Sequence, residues 1–163
     1  MKTRFVFLLL ASILVSTALT AQTRISGTLS CTKPDPAYSI EVGDTGSSVM
    51  SLVKVPCTWS KSFDMAGVAV KDGYSVAAGE GNAGKTKDHG IHVGTMANGD
   101  KYTVHFQSTG TVKADHSGNA SGTWSFDGGT GKLKGLTGKG TYKSVNNADG
   151  TGSSEVEGEY KTP

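Results

Sequence analysis

A glycine-rich segment in the middle of the chain carries the most explicit chemical motif. Residues 79–86 read GEGNAGKT and match the phosphate-binding pattern G-x-x-x-x-G-K-[ST], in which backbone amides and a lysine hold nucleotide phosphates. That chemistry also requires a helix that begins directly behind the loop, whereas residues 87–90 lead into a strand-like stretch. We therefore predict a surface loop at 79–86 that binds no nucleotide, and we expect no cofactor.

A pair of histidines is the second group with chemical potential. If residues 98–99 form a two-residue turn, His92 and His105 face each other across a hairpin, on its polar side. Imidazole pairs bind zinc or copper well, but a complete site needs three or four ligands. His89 would point to the opposite, core-facing side, and His116 lies in a distant turn. We predict no metal site, with His92 and His105 as weak candidates.

The remaining reactive side chains show no catalytic arrangement. No serine stands in a nucleophile-elbow context, and no cysteine has a plausible histidine partner. The carboxylates of Asp64, Asp72, Glu80 and Asp88 lie in or beside predicted turns with no visible pairing. No catalytic residue is predicted, and a protein that is not an enzyme is the favoured interpretation.

The two cysteines, Cys31 and Cys57, predict one disulfide. In an oxidising compartment, two thiols and no others most simply form a single bridge. The alternative, a pair of metal-binding or catalytic thiols, lacks a C-x-x-C spacing or a neighbouring histidine.

Glycine and alternating hydrophobicity determine the predicted elements. The chain holds 23 glycines, and each one disfavours a helix interior by about 1 kcal/mol relative to alanine. Segments with a two-residue period are frequent instead, and turn-forming residues separate them. Short strands at this spacing predict an all-β fold, either a closed barrel or a β-sandwich. The predicted strands are 24–31, 38–42, 49–58, 63–70, 91–97, 101–113, 122–127, 138–145 and 153–160.

The hairpin around residues 98–99 allows a register to be predicted. With a two-residue turn, Ile91 faces Phe106 and Val93 faces Val104. These apolar pairs, together with Tyr102, would share the core face. His92 and His105 would then lie on the outside.

The N-terminus has the order of residues found in secretion signals. Lys2 and Arg4 precede an uncharged run at 5–19, and small residues follow. The run is short for a membrane span, which needs about 20 residues, and no cysteine stands at the cleavage point. We predict a cleaved signal peptide at 1–21 and one domain at 22–163, secreted or periplasmic and without a membrane anchor.

Charge argues against a nucleic-acid partner. Without Lys2 and Arg4, the 16 basic residues become 14, which equals the 14 acidic ones. A domain with balanced, interspersed charges has no basic surface for nucleic acid.

A late stretch of the sequence resembles a known group. Residues 122–131 read GTWSFDGGTG, and GKGTY follows at 138–142. This arrangement resembles the late strands of allene oxide cyclase-like barrels, which include plant dirigent proteins and many uncharacterised bacterial secreted proteins. The segments CTWS at 57–60 and DHGIH at 88–92 look like motifs of that bacterial group. The resemblance implies an eight-stranded antiparallel barrel, but the functional residues of the plant cyclase do not map onto this chain.

The interior of such a barrel is the candidate site. Eight-stranded barrels are either filled by their own side chains or hold one small ligand. The side chains expected inside, as core or as ligand contacts, are Tyr102, Phe106, Trp124, Phe126 and Tyr142. We expect an exported barrel that binds a small apolar molecule or a partner. The alternatives are a structural or envelope-stress protein without a ligand, which a filled interior would favour, and an isomerase for an apolar substrate.

Overall fold

The computed structural model describes residues 22–43 and 47–163. Within them the chain is all-β, as predicted, apart from one short 3₁₀ helix at Gly131–Leu133. The predicted signal peptide at 1–21 lies outside the described residues, as do positions 44–46, which fall between the predicted strands 38–42 and 49–58. The strands are β1 (Thr23–Cys31), β2 (Ala37–Val42), β3 (Ser48–Lys61), β4 (Asp64–Met65), β5 (Val68–Asn82), β6 (Lys85–Met96), β7 (Lys101–Val112), β8 (Gly118–Gly129), β9 (Thr137–Asn146) and β10 (Gly152–Lys161).

Eight of these strands close into a barrel. The hydrogen-bonded order is β1, β10, β9, β8, β7, β6, β5 and β3, and β3 pairs back to β1. All of these pairings are antiparallel. The predicted eight-stranded antiparallel barrel is therefore confirmed, and the sandwich alternative is excluded.

Strands β2 and β4 lie outside this closed ring. Strand β2 pairs with the first half of β3, along the edge that β1 occupies further on. It is exposed along its whole length, and Ile40 reaches 71% exposure. Strand β4 forms a tight hairpin with the start of β5.

Two stretches of the chain differ from the sequence prediction. The predicted strand at 63–70 is a hairpin, because Ala66 and Gly67 adopt positive φ angles of 50° and 75° between β4 and β5. Residues 71–82, for which no strand was predicted, belong to the long strand β5. The small side chains of this stretch lack a strong strand pattern, but its backbone is hydrogen-bonded to β3 on one side and β6 on the other.

The segment that matches the phosphate-binding pattern is also a hairpin. Residues 79–82 end β5, residues 85–86 begin β6, and Ala83 and Gly84 form the two-residue turn with φ angles of 47° and 77°. The predicted surface loop is therefore wrong. A strand follows the turn, so the helix N-terminus on which phosphate binding depends is not formed here.

The register of the β6–β7 hairpin is shifted by one residue from the predicted one. The Gly99 amide donates to the carbonyl of Met96 at 3.0 Å, and the Met96 amide donates to the carbonyl of Asp100 at 2.8 Å. Gly99 has a φ of 89°. This is a three-residue loop, a tight turn followed by a left-handed glycine. The odd loop length pairs Gly90 with Phe106.

The shifted register reverses the predicted faces of β6 but not those of β7. Tyr102 and Val104 are buried inside the barrel as predicted, at 2% and 9% exposure. Ile91 and Val93 were predicted inside and lie on the outer face, with Ile91 40% exposed. His92, predicted outside, is opposite Val104 and buried. A slip of one residue exchanges the two faces of a strand, since side chains alternate along it.

Glycines make room for the aromatic side chains inside the barrel. Four of the interior rings have a glycine directly opposite on a neighbouring strand. A Cβ atom on any of these glycines would lie under 3.0 Å from the facing ring. Much of the glycine content therefore serves interior packing as well as turns. The facing pairs are Tyr102 with Gly94, Phe106 with Gly90, Trp124 with Gly140, and Tyr142 with Gly122.

Candidate ligand cavity

One end of the barrel, called here the closed end, is filled by side chains. The loop at 66–67 and the 3₁₀ helix cover it, and the amide of Ala66 donates to the hydroxyl of Tyr160 at 3.0 Å. The large apolar side chains packed there are no more than 1% exposed. They are Met65, Met96, Leu133 and Leu136.

The opposite end, called here the open end, contains a cavity of about 440 Å³. Residues of the loops at 32–36, 113–117 and 147–151 surround its mouth. Several lining side chains are small, among them those of Ala77, Ser108, Ala120, Ser144 and Ser154. The apolar part of the wall includes Leu29, Val53, Val55, Phe106, Trp124, Tyr142 and Val156.

The five aromatic residues predicted inside the barrel are all placed there and all contribute to the cavity wall. They pack edge to face in pairs, with ring centroids 5.7 Å apart for Tyr102–Phe126 and 6.3 Å apart for Phe106–Tyr142. The Trp124 ring lies 5.0 Å from that of Phe126, and its indole N–H donates to a backbone carbonyl. The aromatic cluster thus forms a wall that side-chain contacts hold in place.

Trp59 is a further interior aromatic residue that the sequence prediction did not include. Its indole N–H donates to the hydroxyl of Tyr102 at 3.1 Å, and its ring packs edge to face on Phe63. Burial raises the pKa of the Tyr102 phenol to about 12, although the hydrogen bond from Trp59 acts in the opposite direction. Cys57 faces inward, and a strand places every second side chain on the same face. Trp59, two positions further along β3, could therefore have been predicted to face inward as well.

His92 is a buried polar side chain in the cavity wall. Its Nδ1 atom lies 3.0 Å from the hydroxyl oxygen of Ser75, whereas its Nε2 atom is buried without a hydrogen-bond partner. Burial lowers the pKa of this imidazole from 6.5 to about 4. The side chain is therefore neutral at physiological pH.

The two histidines considered as metal ligands do not come together. His105 points outward, where its Nε2 atom lies 3.1 Å from a carboxylate oxygen of Asp127. His92 points inward from the neighbouring strand, so the prediction that both share one face is wrong. His89, predicted to face the core, is exposed. In the described part of the chain, no three histidine, cysteine, aspartate or glutamate side chains are close enough to hold a metal ion.

A small polar group lines the cavity wall near the open end. Asp88 lies opposite Ser108 across β6 and β7, and the hydroxyl of Ser108 hydrogen-bonds the phenol of Tyr142. Partial burial raises the pKa of Asp88, which a hydrogen bond from Thr86 opposes. Burial also raises the pKa of Tyr142, and the negative charge of Asp88 adds to that effect.

Sequence reasoning did not identify this polar group as interior. Ser108 continues the inward alternation of Phe106 on β7, so the pattern of that strand would have found it. Asp88 was predicted to lie in or beside a turn, and its interior position follows only from the observed pairing of β6 with β7.

The disulfide lies at the edge of the same cavity. Cys31 and Cys57 are directly paired across β1 and β3, and their sulfur atoms are 2.07 Å apart. The predicted bridge is confirmed. Both residues line the cavity, so the bridge joins two strands of its wall at the point where β1 ends.

Comparison with known proteins leaves the chain without a family assignment. No model of a known protein family matches it, and no curated protein shows significant sequence similarity to it. Across residues 22–43 and 47–163, no helix is long and apolar enough to cross a bilayer. The disulfide-bonded barrel with its one-ended cavity is therefore the basis for any functional conclusion.

Proposed function

We propose that the chain is an exported binding protein that holds one small, largely apolar molecule in the open half of its barrel. The observation that carries this proposal is the cavity of about 440 Å³ in a barrel whose other end is fully packed. Ligand pockets generally have volumes of about 300–1,000 Å³ and are mostly apolar with a few polar groups. The aromatic and aliphatic wall, with Asp88 and Ser108 near the mouth, agrees with that description.

Export is supported by two separate observations. Residues 1–21 have the charged, apolar and small-residue order of a signal peptide. The disulfide between Cys31 and Cys57 suits an oxidising compartment such as the periplasm or the exterior of the cell.

The relationship to allene oxide cyclase-like barrels remains a proposal. The eight-stranded antiparallel barrel agrees with what that resemblance implies. No separate observation favours an isomerase, and the cavity argues against a protein whose interior is only structural.

Two neighbouring alanines of β5 provide a matched test of the cavity. Ala77 lines the cavity, whereas Ala78 lies on the opposite face of the same strand. We would titrate N-phenyl-1-naphthylamine, a neutral probe whose emission increases in apolar surroundings, into the wild type and into each alanine-to-phenylalanine variant. Ala77→Phe fills the cavity, so we expect its probe affinity to fall at least about tenfold, equivalent to 1.4 kcal/mol. Ala78→Phe adds the same ring on the other face and should bind as the wild type does.

The result that would overturn the proposal is clear. If the wild type shows no saturable probe binding, or if the Ala77 and Ala78 variants lose affinity equally, the cavity is not a binding site. Circular dichroism and thermal unfolding of each variant show whether the barrel is intact. Intrinsic fluorescence gives a second readout, because in a Trp59→Phe background the only indole is Trp124 in the cavity wall.

A further inference from the structure

Within residues 22–43 and 47–163, the cavity wall contains an acidic side chain but no lysine or arginine. Among the described residues that line the cavity, Asp88 is the only carboxylate, and none is a lysine or an arginine. The imidazole of His92 is neutral, that of His116 lies in the loop at the mouth, and no salt bridge is formed by Asp88. The described wall therefore carries a negative charge for which it provides no lysine, arginine or salt bridge, although the imidazole of the neighbouring His89 favours the charged form of Asp88.

The pairing of neighbouring strands places the carboxylate of Asp88 beside other polar side chains. Asp88 is opposite Ser108, Ser108 is opposite Gly122, and Gly122 is opposite Tyr142 on successive strands. Since Gly122 has no side chain, the phenol of Tyr142 reaches across β8 to Ser108. A carboxylate, a hydroxyl and a phenol thus lie along one wall of the cavity.

The surroundings of Asp88 on the side of strand β5 are also known. Its carboxylate occupies the space above Gly79 of β5, where a Cβ atom would overlap with it and where the hydroxyl of Ser51 lies nearby. Within the protein, its identified side-chain partners are Thr86, through a hydrogen bond, and, more weakly, the imidazole of His89. Taking a carboxylate out of water is unfavourable unless it is paired or well hydrogen-bonded. A ligand that brings a positive charge would provide the missing pairing.

We infer that the ligand is an amphipathic amine, whose ammonium group is bound by the carboxylate of Asp88 beside Ser108 and Tyr142. Its apolar body would lie along the aromatic and aliphatic wall formed by Phe106, Trp124 and Val55. This inference rests on the proposed function and narrows its ligand class. Fatty acids of the same size should bind more weakly, because their carboxylate would lie beside that of Asp88 with no cation between them.

A panel of ligands with one chain length separates the head group from the apolar body. Dodecylammonium, dodecanol and dodecanoate, each below its micelle concentration at pH 7, would displace N-phenyl-1-naphthylamine from the wild-type protein. We expect dodecylammonium to bind at least about tenfold more tightly than dodecanol, which corresponds to 1.4 kcal/mol. Dodecanoate should bind most weakly of the three.

Two carboxylate-to-amide variants test the role of Asp88. In Asp88→Asn, the preference for dodecylammonium over dodecanol should disappear, because the side chain keeps its shape and loses its charge. Glu80→Gln removes the same charge from an exposed residue on the outer face of β5 and should retain the preference. Each displacement constant is expressed relative to the affinity of the same variant for the probe, so a change in the cavity itself is accounted for.

The outcomes distinguish this inference from the proposed function. Equal displacement by all three ligands, tighter binding of dodecanoate, or loss of the preference in both variants would overturn the amine inference while leaving the cavity as a binding site. If the wild type binds neither the probe nor any ligand, the proposed function itself is wrong.

Discussion

Side chains alternate between the inner and outer faces of the strands at both ends of the barrel, but the interior is filled at the closed end and holds a cavity at the open end. At the closed end, inward positions carry large side chains such as Met96, and Leu136 packs there from the segment just before β9; both are 1% exposed. At the open end, inward positions on the same or neighbouring strands carry small ones such as Ala77 and Ala120, and a cavity remains. Alternation thus determines which residues face inward, whereas their volume determines whether the interior is filled.

The two ends are also stabilised differently. The closed end relies on the burial of apolar side chains, whose removal leaves a void. The open end has fewer fully buried groups and is crosslinked where β1 meets β3. We therefore expect mutations to affect the closed end through packing and the open end through the crosslink and ligand binding.

The largest expected effect comes from shortening a side chain at the closed end. Leu136→Ala should lower the free energy of unfolding by about 2–5 kcal/mol, since a fully buried leucine leaves a cavity that the surroundings fill only in part. Val53→Ala, at the wall of the existing cavity, should cost less than about 1 kcal/mol because little new void is created. Urea unfolding measures both. Equal losses would show that the two ends are packed alike.

Removing the disulfide should cost somewhat less. The bridge closes a separation of 26 residues, and the chain-entropy model assigns about 3.5 kcal/mol to a loop of that length, with native strain reducing the figure. The Cys31→Ser/Cys57→Ser variant is therefore expected to unfold at a lower urea concentration and to bind the apolar probe more weakly. An unchanged midpoint would mean that strand pairing alone holds the open end. The wild type should show no alkylated thiol before reduction.

Acid should destabilise the barrel through His92, which lies between the two ends. Its pKa is about 4 in the folded protein against 6.5 for the free side chain, so protonation is favoured in the unfolded state. Its contribution is fully present above pH 6.5 and is lost as the pH falls toward 4. The shift corresponds to about 3 kcal/mol.

A comparison of variants isolates this contribution from the other titrating groups. Unfolding free energies at pH 7 and pH 4.5 should differ less in His92→Gln than in the wild type, whereas replacement of the exposed His89 by glutamine should leave the difference unchanged. Asp88 acts in the opposite direction, because its raised pKa means that protonation relieves its burial. If His92→Gln shows the wild-type pH dependence, the imidazole is not the group responsible.

The smallest effect is expected at Asp88 itself. Asp88→Asn removes a partly buried charge that forms no salt bridge, so the variant should be more stable than the wild type at pH 7 by less than about 1 kcal/mol. At pH 3, where the wild-type carboxyl is largely protonated, the two proteins should unfold at nearly the same temperature. A loss of stability at pH 7 would indicate that the interactions of the carboxylate with Thr86 and His89 outweigh the cost of burying its charge.

The predictions from sequence succeeded where a local pattern was sufficient. The alternation of Tyr102, Val104 and Phe106 placed their side chains inside, because a strand exposes every second residue to the same face. The two cysteines needed only an oxidising compartment and the absence of other thiols to be paired. Trp124 and Phe126 were assigned to one interior face for the same reason as the residues of β7.

Other features depended on residues that are distant in the chain. A three-residue loop in place of a two-residue one reversed the predicted faces of β6, and with them the position of His92. Strand β5 is defined by hydrogen bonds to β3 and β6, which its own small residues do not reveal. The sequence by itself determined which residue types alternate and which cysteines pair. Only the tertiary structure decided the cavity, because its volume depends on which side chains from eight strands lie at the same level of the barrel.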